Sequence, residues 1–400
     1  MNRRDFFKVA GATVFIPLVT SGLTSDDGYS VQAAINALPD SGGLVYIAEG
    51  TYIIGEPITS GGKNNVTIQG AGWGTVLRTA DGMNDSMFSF VNGDAGWLFK
   101  DLRFDGNRDN NITPARQSAI IKCTTVSDFT FQNLCFENAS IRGLRIFSFS
   151  TRNLVEGCRF HNCLNGAITI NDTCTHNVIS NCYGMGTDTD DVFSIKYGSC
   201  FNKIINCIVI VSSGDSSGIQ VIPGATQTIG NLISGNTIVG CNGNGYGVFV
   251  AQNNAPETII HGNKIKNWKY GIALTGDDHV VSGNSVKNCV KGIHIHNDGS
   301  TITGNNISSC TYKGIFCEGS HNNINGNKVK NVVGMGINLR IPACYNAVIG
   351  NVIYDEQEGM THAIYEHVEG CDYNMLSNNI VGSPIACYGA NTIESNNLGG

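Results

Sequence analysis

One short segment of the chain concentrates groups that can do acid–base chemistry. Within residues 187–196, three carboxylates, at Asp188, Asp190 and Asp191, lie just before the amine of Lys196. Clustered carboxylates either share a proton, which raises the pKa of one of them, or bind a hard cation such as Ca²⁺. Aspartates also cap turns by bonding their own backbone, and this is the structural alternative.

Two more charged residues are expected on coils next to this segment. Aligning the Gly-Ile strands of the chain places Arg145 in one outward column with Ser194, about 10 Å away by the spacing of strands, and Asp215 on the following coil. In this interpretation the catalytic residues are Arg145, Asp190, Asp191 and Lys196, and the Ca²⁺ ligands are Asp188, Asp190 and Asp215. Ca²⁺ is the one cofactor that the sequence suggests.

A second group of outward residues suits sugar binding. The same alignment gives a column that includes Phe249 and His294 and a parallel column in which His296, Glu318 and Arg340 follow one another. An aromatic ring, imidazoles near their titration range and a guanidinium can together hold a charged saccharide. We expect Phe249, His294, His296 and Arg340 to bind substrate, the alternative being ordinary exposed side chains that stack on each other.

A repeat positions both groups. The motif apolar-x-Gly-Asn-x-apolar recurs with its asparagines 27, 21, 21, 22 and 24 residues apart, at Asn236, Asn263, Asn284, Asn305, Asn327 and Asn351. Between anchors, short runs alternate apolar and polar residues, as in residues 292–296, and Gly and Asn end each run. This pattern predicts an all-β solenoid, a parallel β-helix of about 12–14 coils.

Equivalent positions of a parallel solenoid stack at about 4.8 Å, so identical side chains form ladders. We expect the asparagines to form one such ladder, continued by Asn378 and Asn396 and preceded by Cys158, Cys182 and Cys207. A second column contains Cys163, Cys241, Cys289 and Cys310. These cysteines are expected to be small buried residues with free thiols.

The composition limits the partners. The chain has 400 residues, a net charge of -7 and 14% charged residues, and no basic stripe stands out in the sequence. Nucleic acid is therefore not an expected partner. Its 15 cysteines are an odd number without the spacing of a small disulfide framework.

The N-terminus resembles a twin-arginine export signal, with Arg3, Arg4, Phe6 and Lys8 in place and an apolar stretch over residues 9–23. The resemblance implies a signal peptide over residues 1–25 and an exported protein, periplasmic or extracellular, that does not contact the membrane after processing. Residues 26–400 are then one β-helix domain.

An N-terminal cap is expected over residues 26–50. Ser30 can cap a helix with Val31, Ala34 and Ile35 on one face, and Pro39 stops it. No such cap is visible at the other end, so that edge is expected to be covered by loops or by a partner subunit.

The cap and first coils resemble the pectate lyase superfamily. The resemblance rests on residues 31–37, 42–47, 50–52, 66–72 and 74–77. It implies a right-handed parallel β-helix and a protein that acts on acidic polysaccharides as a lyase, hydrolase or epimerase, although the superfamily also includes phage tailspikes.

Residues 190–196 are similar to the Gly-Asp-Asp segment of polygalacturonases. The neighbouring coils offer Asn165-Gly166 and Ser217-Gly218 where that family has Asp-Gly and His-Gly, and its Arg-Ile-Lys segment is absent from the sequence. A complete polygalacturonase site is therefore not present.

The sequence as a whole favours an exported protein that binds an acidic, uronate-containing polysaccharide and cleaves it by β-elimination. Ca²⁺ or Arg145 would neutralise the uronate carboxylate, and Lys196 or another basic side chain would remove the α-proton. The alternatives are a glycoside hydrolase that uses two of the aspartates, and a noncatalytic adhesive β-helix.

Overall fold

The computed structural model describes residues 9–10, 13–16, 27–91, 93–186, 191–212, 216–241, 243–251, 255–367 and 370–399. The chain divides into two compact units, Met1–Ile195 (unit 1) and Lys196–Gly400 (unit 2). In both, most coils carry three short strands that pair in parallel with their counterparts on adjacent coils. We call the sheets formed by the first, second and third strands of the coils sheet 1, sheet 2 and sheet 3. The units together supply about 14 coils, which confirms the predicted right-handed parallel β-helix.

The strands of unit 1 enclose a core rich in buried phenylalanine rings that stack from coil to coil. Sheet 1 contains Thr13–Ile16, Gly43–Ile47, Val66–Gly70, Leu98–Lys100, Thr130–Gln132, Leu154–Glu156 and Val178–Ser180. Sheet 2 contains Gly50–Ile54, Thr75–Thr79, Arg103–Asp105, Cys135–Glu137, Arg159–His161 and Tyr183–Met185. Sheet 3 contains Phe88–Phe90, Ile121–Thr124, Leu144–Phe147, Ile168–Asn171 and Phe193–Lys196, whose last residue belongs to unit 2.

The strands of unit 2 bury mainly isoleucine and valine. Sheet 1 contains Lys203–Ile205, Leu232–Ser234, Ile259–His261, Val280–Ser282, Thr301–Thr303, Asn323–Asn325, Ala347–Ile349, Met375–Ser377 and Ile393–Ser395. Sheet 2 contains Ile208–Ile210, Thr237–Val239, Lys264–Lys266, Ser285–Lys287, Asn306–Ser308, Lys328–Lys330, Val352–Tyr354, Ile380–Val381 and Leu398–Gly399. Sheet 3 contains Ile219–Ile222, Tyr246–Val250, Tyr270–Leu274, Lys291–Ile295, Lys313–Cys317, Gly334–Leu339, Met360–Glu366 and Ile385–Ala386.

The predicted N-terminal helix is present over Gly28–Asn36 and buries its apolar face completely. It begins after Asp27, so Ser30 lies inside the helix and is not its cap. The Asp27 side chain makes no capping bond; its Oδ2 instead accepts the backbone N–H of Ile53 at 2.9 Å. This bond ties the start of the helix to the first coil. A 3₁₀ turn, Arg108–Asn110, is also described, and no helix in the described ranges is long and apolar enough to cross a lipid bilayer.

Part of the predicted signal peptide has a place in unit 1. Val9–Ala10 pairs antiparallel with Thr13–Ile16, which in turn pairs in parallel with Gly43–Ile47. Val14 and Ile16 are buried. Cleavage near residue 25 stays a prediction, and it would remove this strand from sheet 1.

The predicted asparagine ladder runs through the interior of unit 2. From Asn263 onward, each asparagine accepts the backbone N–H and the side-chain N–H of its counterpart on the preceding coil, at 2.9–3.1 Å. Asn236 accepts the backbone N–H of Cys207 at 2.8 Å. The ladder continues through Asn379 and Asn397, one residue after the predicted Asn378 and Asn396. Asn378 has a φ of 56° and takes the position that Gly350 holds one coil earlier, because asparagine tolerates the left-handed region.

A second interior ladder lies five residues before the first in each coil. In unit 2 it contains Asn231, His279, Ser300, Asn322, Asn346 and Asn374. His279 takes an asparagine's role: its Nδ1 accepts the backbone N–H of Thr258 at 3.2 Å, and its Nε2 lies 3.1 Å from Thr275 O. The two ladders fix each coil of unit 2 to the next at two positions.

All 15 cysteines are free thiols, as predicted. The Sγ atoms of Cys158 and Cys182 donate to the carbonyl oxygens of Phe131 and Val155, as the asparagine amides of the ladder do to theirs. One expectation is wrong, because Cys241 is exposed.

Candidate functional site

Arg145 lies on the sheet 3 surface of unit 1, in the predicted column. It pairs in register with Thr169, whose Oγ1 is 3.3 Å from Ser194 Oγ. The order Arg145, Thr169, Ser194 along this column is therefore confirmed.

The Arg145 guanidinium is engaged by its own unit. Its Nη1 donates to Gln117 O at 2.9 Å, its Nε donates to Asn171 Oδ1 at 3.3 Å, and its Cζ lies 4.1 Å from the centroid of the Phe147 ring. Burial lowers the pKa of Arg145 to about 10, so the group keeps its charge at neutral pH. Only 6% of the residue is exposed, which leaves little of it for a ligand to contact.

The other predicted catalytic residues are buried or lie outside the described residues. Asp191, in unit 1, and Lys196, in unit 2, are 5% and 8% exposed. Asp188, Asp190 and Asp215 lie outside the described residues. The catalytic roles of these residues and the Ca²⁺ site stay predictions.

Sheet 3 of unit 2 brings the predicted substrate-binding residues onto one surface. Its strands align two outer columns, one with Tyr246, Tyr270, Lys291 and Lys313 and the other with Phe249, Ala273, His294, Phe316 and Asn338. The interior receives Ile272, Ile293 and Ile315, all fully buried. The predicted column through Phe249 and His294 is confirmed.

Glycine residues allow the two columns to share that surface. A Cβ on Gly271, Gly292 or Gly314 would lie 2.5–2.6 Å from the carbonyl oxygen of the equivalent glycine one coil on, so only glycine fits. Strict alternation would place Lys291 on the inner face with Ile293. The Nζ of Lys291 instead lies 4.4 Å from the centroid of the Phe316 ring, on the outer face.

Glu318, directly after strand Lys313–Cys317, joins the charged residues of this surface. Its Oε2 lies 2.8 Å from His294 Nε2 and 3.0 Å from His296 Nδ1, and its Oε1 accepts from Arg340 Nη1 at 3.1 Å. A proton on His296 Nδ1 would face this carboxylate, which favours the tautomer with the lone pair on Nε2. The His296 side chain is 43% exposed, whereas that of His294 is 5% exposed.

Positive charge dominates around this carboxylate. The Nζ of Lys313 donates to Asn338 Oδ1 at 2.5 Å and lies 3.7 Å from the Phe316 ring centroid. Burial, followed by the charges of Lys291 and Arg340, lowers the pKa of Lys313 to about 8. The cationic side chains of Lys291, Lys313 and Arg340 repel one another, and the single negative charge of Glu318 does not balance them. An anionic ligand would reduce that repulsion.

Both histidines are neutral at pH 7. Burial lowers the pKa of His294 to about 2, and burial also lowers the pKa of His296 from its ordinary value. A neutral, exposed imidazole whose second nitrogen lies 3.0 Å from a carboxylate oxygen is arranged to accept a proton.

A row of aromatic rings continues the surface away from the histidines. Tyr246 stacks on Phe249 at 4.2 Å and on Tyr270 at 4.9 Å between centroids, and Tyr270 stacks on His294 at 5.5 Å. Phe249, Tyr246 and Tyr270 are each partly exposed. Aromatic faces of this kind pack against the apolar faces of sugar rings.

Within the described residues, one group of side chains has metal-ligand spacing. The ligand atoms of His294, His296 and Glu318 all lie within 4.8 Å of one another, and two imidazoles with one carboxylate are a known zinc ligand set. Nearby cations oppose such a metal, since unit charges 4 Å apart near a protein surface interact by about 4 kcal/mol. The charges of the surface as a whole therefore fit an anion better than a metal.

Lys291, Lys313 and Glu318 were not among the site residues predicted from the sequence, although Glu318 lies in the predicted column of His296 and Arg340. The sequence does contain a pattern that could have identified the two lysines. Tyr270, Lys291 and Lys313 each come directly before a Gly-Ile pair whose isoleucine is buried, so they occupy equivalent positions on successive coils. Of the four residues predicted to bind substrate, His294, His296 and Arg340 meet at Glu318, and Phe249 joins them through the aromatic row.

The comparisons with known families and sequences point to β-helix proteins. Residues 200–398, just under half of the chain, match the family model of NosD, described as a periplasmic copper-binding protein. Over 98–100 residues the chain is 40% identical to mannuronan C5-epimerase AlgE5, 39% to AlgE4 and 36% to alginate lyase 7, all of Azotobacter vinelandii. Each match covers 22% of this chain but only 10%, 18% and 11% of the relative. The chain thus matches less than a fifth of each relative's length.

Solved structures share the fold at low sequence identity. The A-module of mannuronan C-5 epimerase AlgE4 from Azotobacter vinelandii has a TM-score of 0.56 at 19% identity, covering 93% of this chain and 96% of the module. The catalytic unit of the GH87 α-1,3-glucanase from Streptomyces thermodiastaticus strain HF3-3 gives 0.61 at 15% identity, covering 93% and 67%. Tailspike protein 3 of bacteriophage CBA120 gives 0.61 at 11%, covering 94% and 57%. These likenesses show the right-handed β-helix fold.

Proposed function

We propose that this chain is an exported carbohydrate-active enzyme that binds an acidic polysaccharide on sheet 3 of unit 2 and cleaves it by β-elimination. The observation that carries the proposal is the surface around Glu318, where Arg340 pairs with the carboxylate, Lys291 and the buried Lys313 place their amines over the Phe316 ring near it, and the neutral, exposed His296 lies beside it. The relatives named as mannuronan epimerases and alginate lyase support an acidic polysaccharide as substrate. The periplasmic family name supports export.

In the proposed reaction, Arg340 pairs with the uronate carboxylate through guanidinium N–H groups other than the one bonded to Glu318, and Lys291 adds positive charge. Neutralising the carboxylate acidifies the C5 proton, which His296 Nε2 removes. The electron pair of the C5–H bond forms the C4–C5 double bond while the C4–O bond breaks. The protonated His296 then returns its proton to the leaving oxygen, so that charge and protons balance.

Epimerisation at C5 is a close alternative, because it begins with the same proton removal and ends when a proton returns to the other face of C5. Glycoside hydrolysis is a more distant one, since it needs two carboxyl groups flanking the bond, and the described residues of this surface offer Glu318 alone.

The predicted site around Asp190 stays a proposal for the same reaction. There Ca²⁺ held by Asp188, Asp190 and Asp215, or Arg145, would neutralise the carboxylate, and Lys196 would act as the base. Chelation of divalent cations tests this arrangement, because it should remove activity that depends on the aspartates, and added Ca²⁺ should restore it.

Binding of a divalent metal is a second candidate function. It rests on the spacing of His294, His296 and Glu318 and on the family name of the model that spans them. Calorimetric titration of the protein with Cu²⁺ and Zn²⁺, repeated with His296→Ala, tests this candidate. Binding that the variant loses supports a metal site on this surface, and unchanged binding removes it.

The decisive experiment is incubation of the protein with pectate, alginate, polygalacturonate and glycosaminoglycans. Elimination leaves an unsaturated uronate that absorbs in the ultraviolet, epimerisation changes the uronate composition without shortening the chain, and hydrolysis creates reducing ends without the absorbance. A protein that neither binds nor changes any acidic polysaccharide would contradict the proposal and favour the noncatalytic β-helix.

A further inference from the structure

A second surface of unit 2, on sheet 2, is strongly basic, although no basic stripe stands out in the sequence, because strand pairing brings together lysines from separate coils. Four consecutive strands, Lys264–Lys266, Ser285–Lys287, Asn306–Ser308 and Lys328–Lys330, bury their central residues, Ile265, Val286, Ile307 and Val329, and turn the flanking residues outward. The eight flanking positions hold five lysines, two serines and one asparagine. We call these eight residues the basic strip.

The composition of the basic strip is unusual for this chain. With 25 Lys and Arg in 400 residues and a net charge of -7, eight positions would be expected to hold less than one basic residue. No flanking position of the basic strip carries a carboxylate. Within the described residues, the lysines of the strip form a single ion pair, between Lys330 and the exposed Glu356 at 2.9 Å. Lys264, Lys266 and Lys287 form no ion pair with a described side chain, and Lys328 interacts with Glu356 only at longer range.

The register of the strands arranges these charges in a lattice. Lys266 pairs directly with Lys287, and Lys287 is followed by Ser308 and then Lys330 in the same column. At about 4.8 Å between strands and roughly 7 Å between alternate residues of a strand, the amines recur over about 14 Å along the coil axis. An extended polymer with regularly spaced anions can meet several of them at once.

The basic strip also offers what a saccharide needs besides charge. Ser285, Asn306 and Ser308 lie between the lysines and can bond sugar hydroxyls, and Lys287, Lys328 and Lys330 border an open depression of about 390 Å³. At one end of the strip the Nζ atoms of Lys328 and Lys330 each lie 5.5 Å from the Tyr354 ring centroid. A partly exposed aromatic ring beside amines suits a sugar ring that carries a carboxylate.

We infer that the basic strip is a second binding surface for an acidic polysaccharide, separate from the sheet 3 surface. The basic strip holds an extended stretch of the polysaccharide while the sheet 3 surface acts on it. This inference rests on the proposed function for the class of ligand. It does not rest on the site of cleavage, because the two surfaces belong to different sheets and share no residue.

The test compares two double variants with the same change in charge. Lys287→Gln with Lys328→Gln removes two amines of the basic strip, and Lys100→Gln with Lys203→Gln removes two from sheet 1. We expect the first variant to bind polygalacturonate about fivefold more weakly at low salt, because exposed ion pairs are individually weak. We expect the second variant to bind as the wild type does. For a short oligouronate, the first variant should keep the wild-type affinity and, if the protein cleaves it, the wild-type KM.

Each other outcome overturns the inference. Equal weakening in both double variants would show that only net charge matters, and unchanged polymer binding in the first would show that the basic strip takes no part. Double-stranded DNA serves as the generic polyanion, and equally tight binding of DNA, lost in the same variant, would make the surface nonspecific. Failure of the proposed function can be recognised separately. Arg340→Met should weaken the binding and turnover of the short oligouronate, whereas changes in the basic strip should leave both unchanged.

Discussion

The imidazole of His296 meets the carboxylate of Glu318 through Nδ1, at 3.0 Å from Oε2. The same oxygen faces His294 Nε2, and the other carboxylate oxygen accepts from Arg340. One carboxylate therefore favours the tautomer of His296 that has its proton on the inner nitrogen, which leaves the outer nitrogen available to a substrate. Glu318 acts through its neighbours and is a positioning residue.

Replacing Glu318→Gln should lower kcat on a uronate polymer by about 100-fold and change KM less, because the base loses its orientation while the cations that bind the carboxylate remain. The negative charge of Glu318 raises the pKa of His296, so its loss should also move the acidic limb of the pH–kcat profile to lower pH. Glu356→Gln is the matched control on an exposed carboxylate. An unshifted profile with an unchanged kcat would contradict the role given to Glu318.

Replacing Arg340→Met should lower kcat/KM by about 10- to 100-fold, since a charge-assisted contact to the substrate carboxylate is worth about 1.5–3 kcal/mol. The side chain is 56% exposed, so the melting temperature should hardly change. Asp190→Asn and Lys196→Ala test the other predicted site. Loss of turnover in these two variants, with full activity in Arg340→Met, would assign the chemistry to the coils around Asp190.

Replacing Asn284→Ala should cost roughly 1–3 kcal/mol of unfolding free energy, measured in urea. Asn284 accepts two hydrogen bonds from Asn263 and donates to Asn305 Oδ1 and Ile260 O, all in the interior. Asn306→Ala, on the exposed face of the neighbouring strand, is the control and should cost far less. Equal costs for the two changes would contradict an interior ladder.

Replacing His279→Asn should flatten the dependence of stability on pH. Burial lowers the pKa of His279 in the folded protein, while an unfolded histidine titrates near 6.5. Below about pH 6.5 the unfolded chain therefore binds a proton that the folded chain does not, and the stability that His279 contributes above that pH is lost as pH falls towards the folded pKa. The variant supplies the amide that Asn322 and Asn346 supply on later coils.

The measurement for His279 is the melting temperature of wild type and variant between pH 7.5 and 4.5. The variant should gain on the wild type as the pH falls, whereas His321→Asn, at an exposed position, should follow the wild type. Parallel curves for wild type and His279→Asn would show that the buried imidazole contributes nothing to acid sensitivity.

The coil repeat was predictable because Asn263 and Asn284 recur at a fixed place between apolar residues. Identical asparagines on adjacent coils can form hydrogen bonds with each other, which stabilises the stack. The continuation to Asn379 was missed by one residue, since Asn378 stands where other coils have glycine and looks like the anchor itself. The second ladder was not seen because its positions hold Asn, His and Ser, which share a hydrogen-bonding role but no common letter.

The candidate site was predictable only where the strands alternate regularly. His294 and Arg340 were placed on the outer face by alternation, and the structure agrees. Lys291 was missed because alternation places it inside with Ile293, and only the close approach at Gly292 shows otherwise. Glu318 lies in the predicted column of His296 and Arg340, but the contacts of its two carboxylate oxygens depend on side-chain conformations, which sequence spacing does not reveal.

The asparagine ladder sets alignment by coil and not by residue number. Successive anchors are 21 residues apart between Asn263 and Asn284 and 28 apart between Asn351 and Asn379, yet the bonds between them are equally short. A loop can therefore grow or shrink between two anchors without sliding the strands that follow. Insertions in the turns can therefore remodel the rim of the sheet 3 surface around Glu318 while its columns of side chains stay aligned. Specificity for a ligand can thus evolve without a change in the fold.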